Sequence, residues 1–262
     1  MRDIIRSADN QLIKKIRKVK DRKKCPGLVY VEGLRIVTDC LAGGASCESL
    51  IVAERKTDEG MSIAREYGIS DGSVFILDDK LFEKISDTVN SQGIAMICAC
   101  PQVMNEIPVR GGKDVYCILE NVQDPGNVGT IIRMADAFDL TAVILTKGSC
   151  DPFGDKALRA SMGSVWHIPV VMFDDEELLF DELARLGISK LAMHLKGDVL
   201  GDSDISFPAA FFIGNEGKGL SELASSRCDK LVKIPMPGKA ESLNAASAAT
   251  VMGYEMMRRR GQ

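Results

Sequence analysis

The chain has 262 residues, enough for two domains or one large α/β domain, and its 45% apolar and 27% charged composition is that of a globular protein. No run approaches the roughly 18 uninterrupted apolar residues that a membrane span needs, and the basic start has no apolar signal core behind it, so a cytoplasmic protein is expected. The net charge of −4 conceals an uneven distribution: residues 1–24 carry ten Lys or Arg against three Asp, a local +7 that leaves −11 for the rest.

In chain order, the front end reads as a helix over residues 9–20 with Lys14, Lys15, Arg17 and Lys18 on it and a narrow apolar stripe of Leu12, Ile13, Ile16 and Val19. Such a run is either a solvated face or a holder of a polyanion; without an aromatic residue in the stripe it does not suit a membrane surface. A break at Pro26-Gly27 follows, then a strand at Leu28–Val31 and a helix from Gly33 to Leu41. Beyond these the pattern predicts a strand at 50–53, a helix at 59–67, a strand at 74–77, a helix at 80–86 and a strand at 94–100. The Pro- and Gly-bearing stretch up to Lys113 lacks a clean period, and the domains are placed at 1–103 and 114–262 with a linker at 104–113.

The pattern restarts at Val115–Glu120, a fully apolar run of the kind buried on both faces of a parallel sheet. A helix at 128–138, a strand at 142–146, a short helix at 156–161, a strand at 168–173 and a helix at 175–186 come next. Strands at 190–194 and 209–213, a short helix after Gly219, a strand at 231–234 and a final helix from Leu243 to Arg259 complete it. Strand and helix alternating in this way predict an open α/β sheet, whose ligand lies beyond the carboxyl ends of its strands. The polar groups fall at such ends: Glu120-Asn121, Gly214-Asn215-Glu216 and Pro235-Met236-Pro237-Gly238.

Several chemistries are disfavoured. The eight cysteines include no C-x-x-C pair and only two His accompany them, so a structural zinc or dithiol redox centre has little to draw on, and buried reduced thiols are expected. Gly126-Asn127-Val128-Gly129 has the wrong spacing for a dinucleotide fingerprint, and Gly217-Lys218-Gly219 lacks the spacing and hydroxyl residue of a phosphate-binding loop. Polar loops poor in strong nucleophiles point to a site that aligns two substrates.

At these loops the chain resembles the SpoU (TrmH-like) branch of the SPOUT superfamily of S-adenosylmethionine-dependent RNA ribose 2'-O-methyltransferases. The resemblance is carried by Asn121–Arg133 with Phe138 after it, by Gly-Asn-Glu-Gly-x-Gly-Leu within 211–220, and by I-P-M-x-G-x-x-E-S-L-N within 234–259, with Tyr254-Glu255 downstream. A weaker likeness, at Ser7-x-x-Asn10 and Val31-Glu32-Gly33-x-Arg35, is to the L30e-like substrate-binding domain of such enzymes. The resemblance implies a second domain with a deep carboxyl-terminal trefoil knot, a homodimer formed through that domain, and structured RNA as substrate, most favourably 23S ribosomal RNA; no metal is expected, because a sulfonium is a good leaving group and the carboxylates lack a clustered ligand pattern. Transfer RNA as substrate, or an RNA-binding protein without turnover, are the alternatives.

By that likeness Asn121, Arg133, Glu216, Ser242 and Asn244 form the methyl-transfer set, while Leu195, Gly214, Asn215, Gly219, Ile234, Met236 and Leu243 surround the cofactor. Lys14, Lys15, Arg17, Lys18, Arg35 and Arg133 are assigned to RNA. A guanidinium stays protonated, so Arg133 suits a phosphate clamp and stabiliser of a developing alkoxide better than a base; the ordinary alternative for it is a surface salt bridge with Asp136 or Glu120. Gly214, Gly219 and Gly238 are expected at close backbone approaches or positive φ. Two departures stand out: Ala245 where relatives often carry Val, and Asp139 where Gly commonly follows the aromatic residue.

Overall fold

The computed structural model describes residues 3–21, 24–25, 27–88, 90–201 and 203–261; Arg2, Arg22 and Lys23 of the basic run, and Pro26 of the expected break, lie outside them. The chain forms two compact units, Met1–Pro101 with Phe153–Trp166, and Gln102–Pro152 with His167–Gln262.

The first unit contains β1 (Ile4–Ile5), α1 (Gln11–Lys20), β2 (Leu28–Glu32), α2 (Leu34–Ala42), β3 (Cys47–Ala53), α3 (Thr57–Glu66), β4 (Val74–Leu77), α4 (Asp79–Ile85) and β5 (Ile94–Ala99). Its sheet runs β1-β4-β3-β5-β2, with β5 antiparallel to both β2 and β3 and the other pairs parallel. Helix α1 starts where the Asn10 side chain accepts from Leu12 N at 2.8 Å. Its stripe of Leu12, Ile13, Ile16 and Val19 is buried in one cluster with Phe82 and Ile85 of α4 and Ile51 and Ile97 of the sheet. The motif glutamate Glu32 is buried, and its carboxylate accepts from Thr88 Oγ1 and Asp87 N, both at 2.9 Å, and from Ser86 Oγ, which pins the turn after α4.

The second unit contains β6 (Val115–Leu119), α5 (Pro125–Ala137), β7 (Ala142–Thr146), β8 (Val170–Phe173), α7 (Glu176–Arg185), β9 (Ser189–Val199), β10 (Ala209–Ile213), α8 (Glu222–Arg227), β11 (Lys230–Lys233) and α9 (Ala245–Arg260), while α6 (Asp155–Ser161) belongs to the first. The six strands are all parallel, in the order β11-β9-β10-β6-β7-β8. Strands β6, β10 and β7 are buried throughout, as their unbroken apolar runs require. Strand order reverses between β10 and β6, and such a switch point opens a crevice at the carboxyl ends. From β11 at the sheet edge the chain returns to the middle, where α9 packs on α5 and against β6 and β10. The segment 104–113 is tied into this unit: Met104 bridges to Val171, and the Pro108 carbonyl accepts from Tyr116 Oη at 2.8 Å.

Strand β9 departs from expectation. Its pairing to β11 jumps from Ala192 opposite Leu231 to Asp198 opposite Val232, so residues 193–197 leave the ladder and carry Leu195 outward, 63% exposed. The excursion depends on Gly197, where a Cβ would lie 2.5 Å from the backbone carbon of Leu231. Asp139 explains its own departure. It sits just past α5 at φ 51, a conformation in which Gly is at ease and Asp is tolerated, and its carboxylate is held by Arg110 at 2.9 Å and Arg260 at 3.2 Å. All eight cysteines are free, and burial pushes the Cys40 thiol up to about 12.

Candidate active site

Three loops lie beyond strand ends, residues 120–124 after β6, 214–221 after β10 and 234–244 after β11, and the excursion within β9 falls on the strand between β10 and β11. The first two are locked together by Glu216. Its Oε1 accepts from Asp124 N at 3.1 Å and Asn127 Nδ2 at 2.9 Å, and its Oε2 from Gln123 N at 3.3 Å. Burial pushes this carboxyl up, but the hydrogen bonds from Asn127 and from the backbone of Glu216, Asp124 and Gln123 outweigh it and hold the group below its usual range. Glu216 is therefore a carboxylate clamp on the start of α5.

Asn127 extends the network to the last loop, because its Oδ1 accepts from Asn244 Nδ2 at 2.9 Å. Asn244 in turn caps α9, its Oδ1 accepting from Ala246 N at 2.9 Å and Ser247 N at 3.3 Å. The helix starts two residues later than expected, so Ser242 and Leu243 stand in the exposed loop ahead of it. Sequence reasoning misses Asn127, which there is only part of a misspaced glycine pattern. The signal that could have found it is an amide on the first turn of a helix capped by Asp124, two turns before Arg133 and on a face that is buried.

Asn121 and Asn215 shape their loops. Asn121 takes φ 52, gives its N–H to Thr146 Oγ1 at 3.2 Å, and its carbonyl accepts from Asn215 Nδ2 at 2.9 Å. Asn215 Oδ1 accepts from Gly217 N and Lys218 N, and its backbone exchanges two hydrogen bonds with Gly219, which sits at φ 71. Gly214 is required by crowding: a Cβ there would lie 2.3 Å from the Gly219 backbone carbon. Gly238 has neither a positive φ nor a close neighbour, so the expectation of a tight approach there is wrong; it lies in an open loop.

Arg133 is exposed on α5, and no described residue binds its guanidinium. Both carboxylates that could have paired with it are engaged elsewhere: Asp136 meets His167 Nδ1 at 3.0 Å, and Glu120 accepts from Ser221 N at 2.9 Å. The apolar Leu195 and Leu243 are 63% and 39% exposed on the loops, and Ile234 and Met236 are half-buried after β11. These four make none of the described hydrogen bonds with the asparagine and glutamate network.

In the first unit, Lys14, Arg17 and Lys18 stand exposed on α1 with no described partner, while Lys15 pairs with Glu48. Arg35 lies loosely opposite Asp39 at 3.8 Å with its side chain 73% exposed. At the other end of the chain, Arg258, Arg259 and Arg260 are occupied by Glu255 and Asp139, which removes them as a free basic patch. Among the described residues, no helix is long and apolar enough to cross a membrane, and no cluster of three or more His, Cys, Asp or Glu could hold a metal ion.

Residues 114–254 match the SpoU rRNA Methylase family, and residues 10–96 match the MRM3-like substrate binding domain. The chain is 33% identical to the 23S rRNA (guanosine(2553)-2'-O)-methyltransferase RlmP of Bacillus subtilis, over 96% of its own length and 98% of the relative's. Among solved structures, an AdoMet-bound rRNA methyltransferase from Sinorhizobium meliloti superimposes with a TM-score of 0.83 at 30% identity, covering 98% of each chain. The SpoU methyltransferase AviRb from Streptomyces viridochromogenes, in complex with AdoMet, gives 0.82 at 27%, covering 97% of this chain and 99% of that one. With residues 114–254, more than half of the chain, matched by the first of these and its fold shared with the solved relatives, the chain belongs to the SpoU rRNA methylase family.

Proposed function

We propose that this protein transfers a methyl group from S-adenosylmethionine to a ribose 2'-hydroxyl of ribosomal RNA, with 23S RNA the favoured substrate. The observation that carries the reading is Arg133, a cation presented to solvent on the helix whose start the network clamps, with the carboxylates that could have paired with it already committed. A guanidinium left unpaired next to a preorganised site serves a phosphate and the alkoxide that develops as the hydroxyl reacts. Its proton stays on, and the hydroxyl proton leaves to solvent or a neighbouring group.

The loops suit the cofactor's chemistry. Exposed Leu195 and Leu243 offer apolar surface to an adenine, and the absence of a side chain on Gly214 lets the loop after β10 fold back against the Gly219 backbone. Leu195, Gly214, Asn215, Gly219, Ile234, Met236 and Leu243 would hold it, within a trefoil knot for which the return of the chain from β11 to α9 provides the path. When bound, S-adenosylmethionine supplies a methyl group on a sulfonium that is already a good leaving group, so no metal is needed. Glu216 and Asn127 fix the loops, Asn244 fixes the start of α9, Asn121 shapes the corner and Ser242 stands exposed ahead of α9, open to substrate.

The first domain, residues 1–103, holds the RNA through Lys14, Arg17 and Lys18 with Arg35, Lys15 being committed to Glu48, and the second, residues 114–262, carries the chemistry in the cytoplasm. Homodimerisation through α9 is supported by Val251 and Tyr254, 41% and 53% exposed on a helix whose other face packs on α5. Mapping ribose 2'-O-methyl positions in ribosomal and transfer RNA from cells with and without the protein tests the reading. One ribosomal position is expected to disappear; a change confined to transfer RNA selects the alternative substrate, and an unchanged map with an inactive purified protein refutes methyl transfer.

A further inference from the structure

The second unit carries 21 Asp and Glu against 15 Lys and Arg, so as a whole it repels nucleic acid. Nine of those 15 cations are held by acids or carbonyl oxygens of the same unit, Arg227 by Glu177 and Asp181, for example, and Lys230 by the Asp204 carbonyl. The six with no described partner are Arg133, Lys147, Lys196, Lys218, Lys233 and Lys239. Arg133 stands on α5, and the other five fall at one end of the sheet. Lys147 follows β7, Lys218 lies in the loop after β10, Lys233 ends β11 and Lys239 lies in the loop beyond it. Lys196 belongs to the excursion of β9, which leaves the ladder after Ala192, the residue opposite Phe212 near the end of β10. The uncommitted positive charge of an acidic unit is thus gathered at the carboxyl ends of its strands, where the site lies.

Strand order sets the exposed members in a row. Lys239, Lys196, Lys218 and Lys147 follow or interrupt β11, β9, β10 and β7, and from β11 to β7 the sheet spans about 19 Å at the usual strand spacing. Asn121 fixes the middle of the row. Its carbonyl accepts from Asn215 Nδ2 at 2.9 Å, and Asn215 Oδ1 accepts from Lys218 N at 3.1 Å. On the other side of β6, Lys147 N donates to the Phe173 carbonyl at 3.1 Å, and a Cβ on the following Gly148 would lie 2.6 Å from Asn121 Oδ1. Lys196 N donates to His194 Nδ1 at 3.1 Å. The backbones of these three lysines are held, while their flexible four-carbon stems can follow a phosphate.

We propose that Lys147, Lys196, Lys218 and Lys239 form a phosphate-binding row across the mouth of the site, which seats the RNA strand carrying the target ribose. This rests on the reading of the site as a methyl-transfer centre and adds RNA contacts in the second unit beyond Arg133. The acids of the same loops do not cancel the row. Asp124 caps α5, and Glu216 is bound by Asn127 and by the backbone of Gln123 and Asp124. Asp151, Asp198 and Glu241 are exposed on these loops and on β9, three charges against the six uncommitted cations. An RNA strand is therefore turned away from the acidic flanks and held at this end, beside Arg133. Ammonium groups contact phosphates without reading bases, so the row sets the position of the strand and leaves its sequence unread.

The test is binding of an unmodified 23S RNA transcript to the full chain as salt is varied, wild type against a variant with Lys147→Gln, Lys196→Gln, Lys218→Gln and Lys239→Gln together. Each lost phosphate contact lowers the slope of log affinity against log salt by about 0.7–0.9, so the variant is expected to flatten it by up to about 2.8–3.6. A decrease worth fewer than about two contacts overturns the row. Calorimetric affinity for S-adenosylmethionine and the unfolding Tm should match wild type, and the same four positions changed to Arg should restore the slope. Loss of cofactor affinity with an unmoved RNA slope also overturns the proposal, because the lysines then face the cofactor. Should the fourfold variant not fold, Lys147→Gln with Lys218→Gln and Lys196→Gln with Lys239→Gln are measured as pairs, and two unchanged slopes overturn it. A wild-type protein that transfers no methyl group refutes the reaction, and the salt slopes then decide the row alone.

Discussion

On α1 of the first unit, Lys14, Arg17 and Lys18 reach into solvent unbonded, whereas in the second unit Glu216, Asn127 and Asn244 satisfy one another across three loops. On the proposed reading, the contrast follows from what each surface is asked to do. A polyanion is attracted by charge alone, at distances of about 10 Å at ordinary salt, and long flexible side chains serve that purpose without fixed geometry. Methyl transfer requires reacting atoms to be aligned, so the loops that hold them must be ordered before substrate arrives. Arg133 combines both demands: it is exposed like the α1 cations but stands on a helix whose start is clamped by Glu216.

The sharpest way to break this comparison is Arg133→Ala. Removing one electrostatic interaction at the reacting oxygen costs on the order of 10²-fold or more in rate. Single-turnover methylation should show that decrease, while calorimetric affinity for S-adenosylmethionine stays as in wild type. A variant that methylates at the wild-type rate would return Arg133 to the class of ordinary surface cations.

The parts of this arrangement that sequence reveals are those with local causes. β6, β7 and β10 are continuous apolar runs and are legible for that reason, as is the stripe of α1. Strand β1 is not, because two isoleucines carry no period and become a strand only through the edge of β4. Nor is the excursion of β9, which depends on β11 passing against Gly197 from far along the chain. In the site, Arg133, Glu216 and Asn244 stand out through their motifs, but nothing in the sequence discloses that Asn127 joins the last two. A side chain bridging residues 89 and 117 positions away leaves no local pattern.

Asn127→Ala tests whether that bridge is the source of order. Asn127 is 9% exposed, and its removal strips one donor from Glu216 and the acceptor of Asn244. Leaving such partners unsatisfied costs about 1–3 kcal/mol, which thermal or urea unfolding of the purified chain will read. Gln123→Ala makes the control. Its exposed side chain gives only a 3.3 Å bond to Asn121 Oδ1, so it should stay within about 0.5 kcal/mol of wild type. Equal destabilisation by the two changes would mean that the loops are held by their backbones, and that the network follows from their order without producing it.

The smallest effect is expected on α1, and it separates cations that look alike in sequence. Lys15 pairs with Glu48, so neutralising it removes a charge already balanced, while Lys14, Arg17 and Lys18 face solvent alone. Each phosphate that a removed cation no longer neutralises lowers the slope of log affinity against log salt by about 0.7–0.9. Replacing Lys14, Arg17 and Lys18 together by Gln should therefore flatten the slope for RNA by up to about 2–2.7 units, less if one of the three points away from the substrate, with cofactor affinity unchanged. Lys15→Gln alone should leave the slope where it was. A slope that falls for Lys15→Gln and not for the triple variant would show that the ion pair with Glu48 opens on RNA binding, and the division between a surface that attracts and a site that is already ordered would then fail on its first unit.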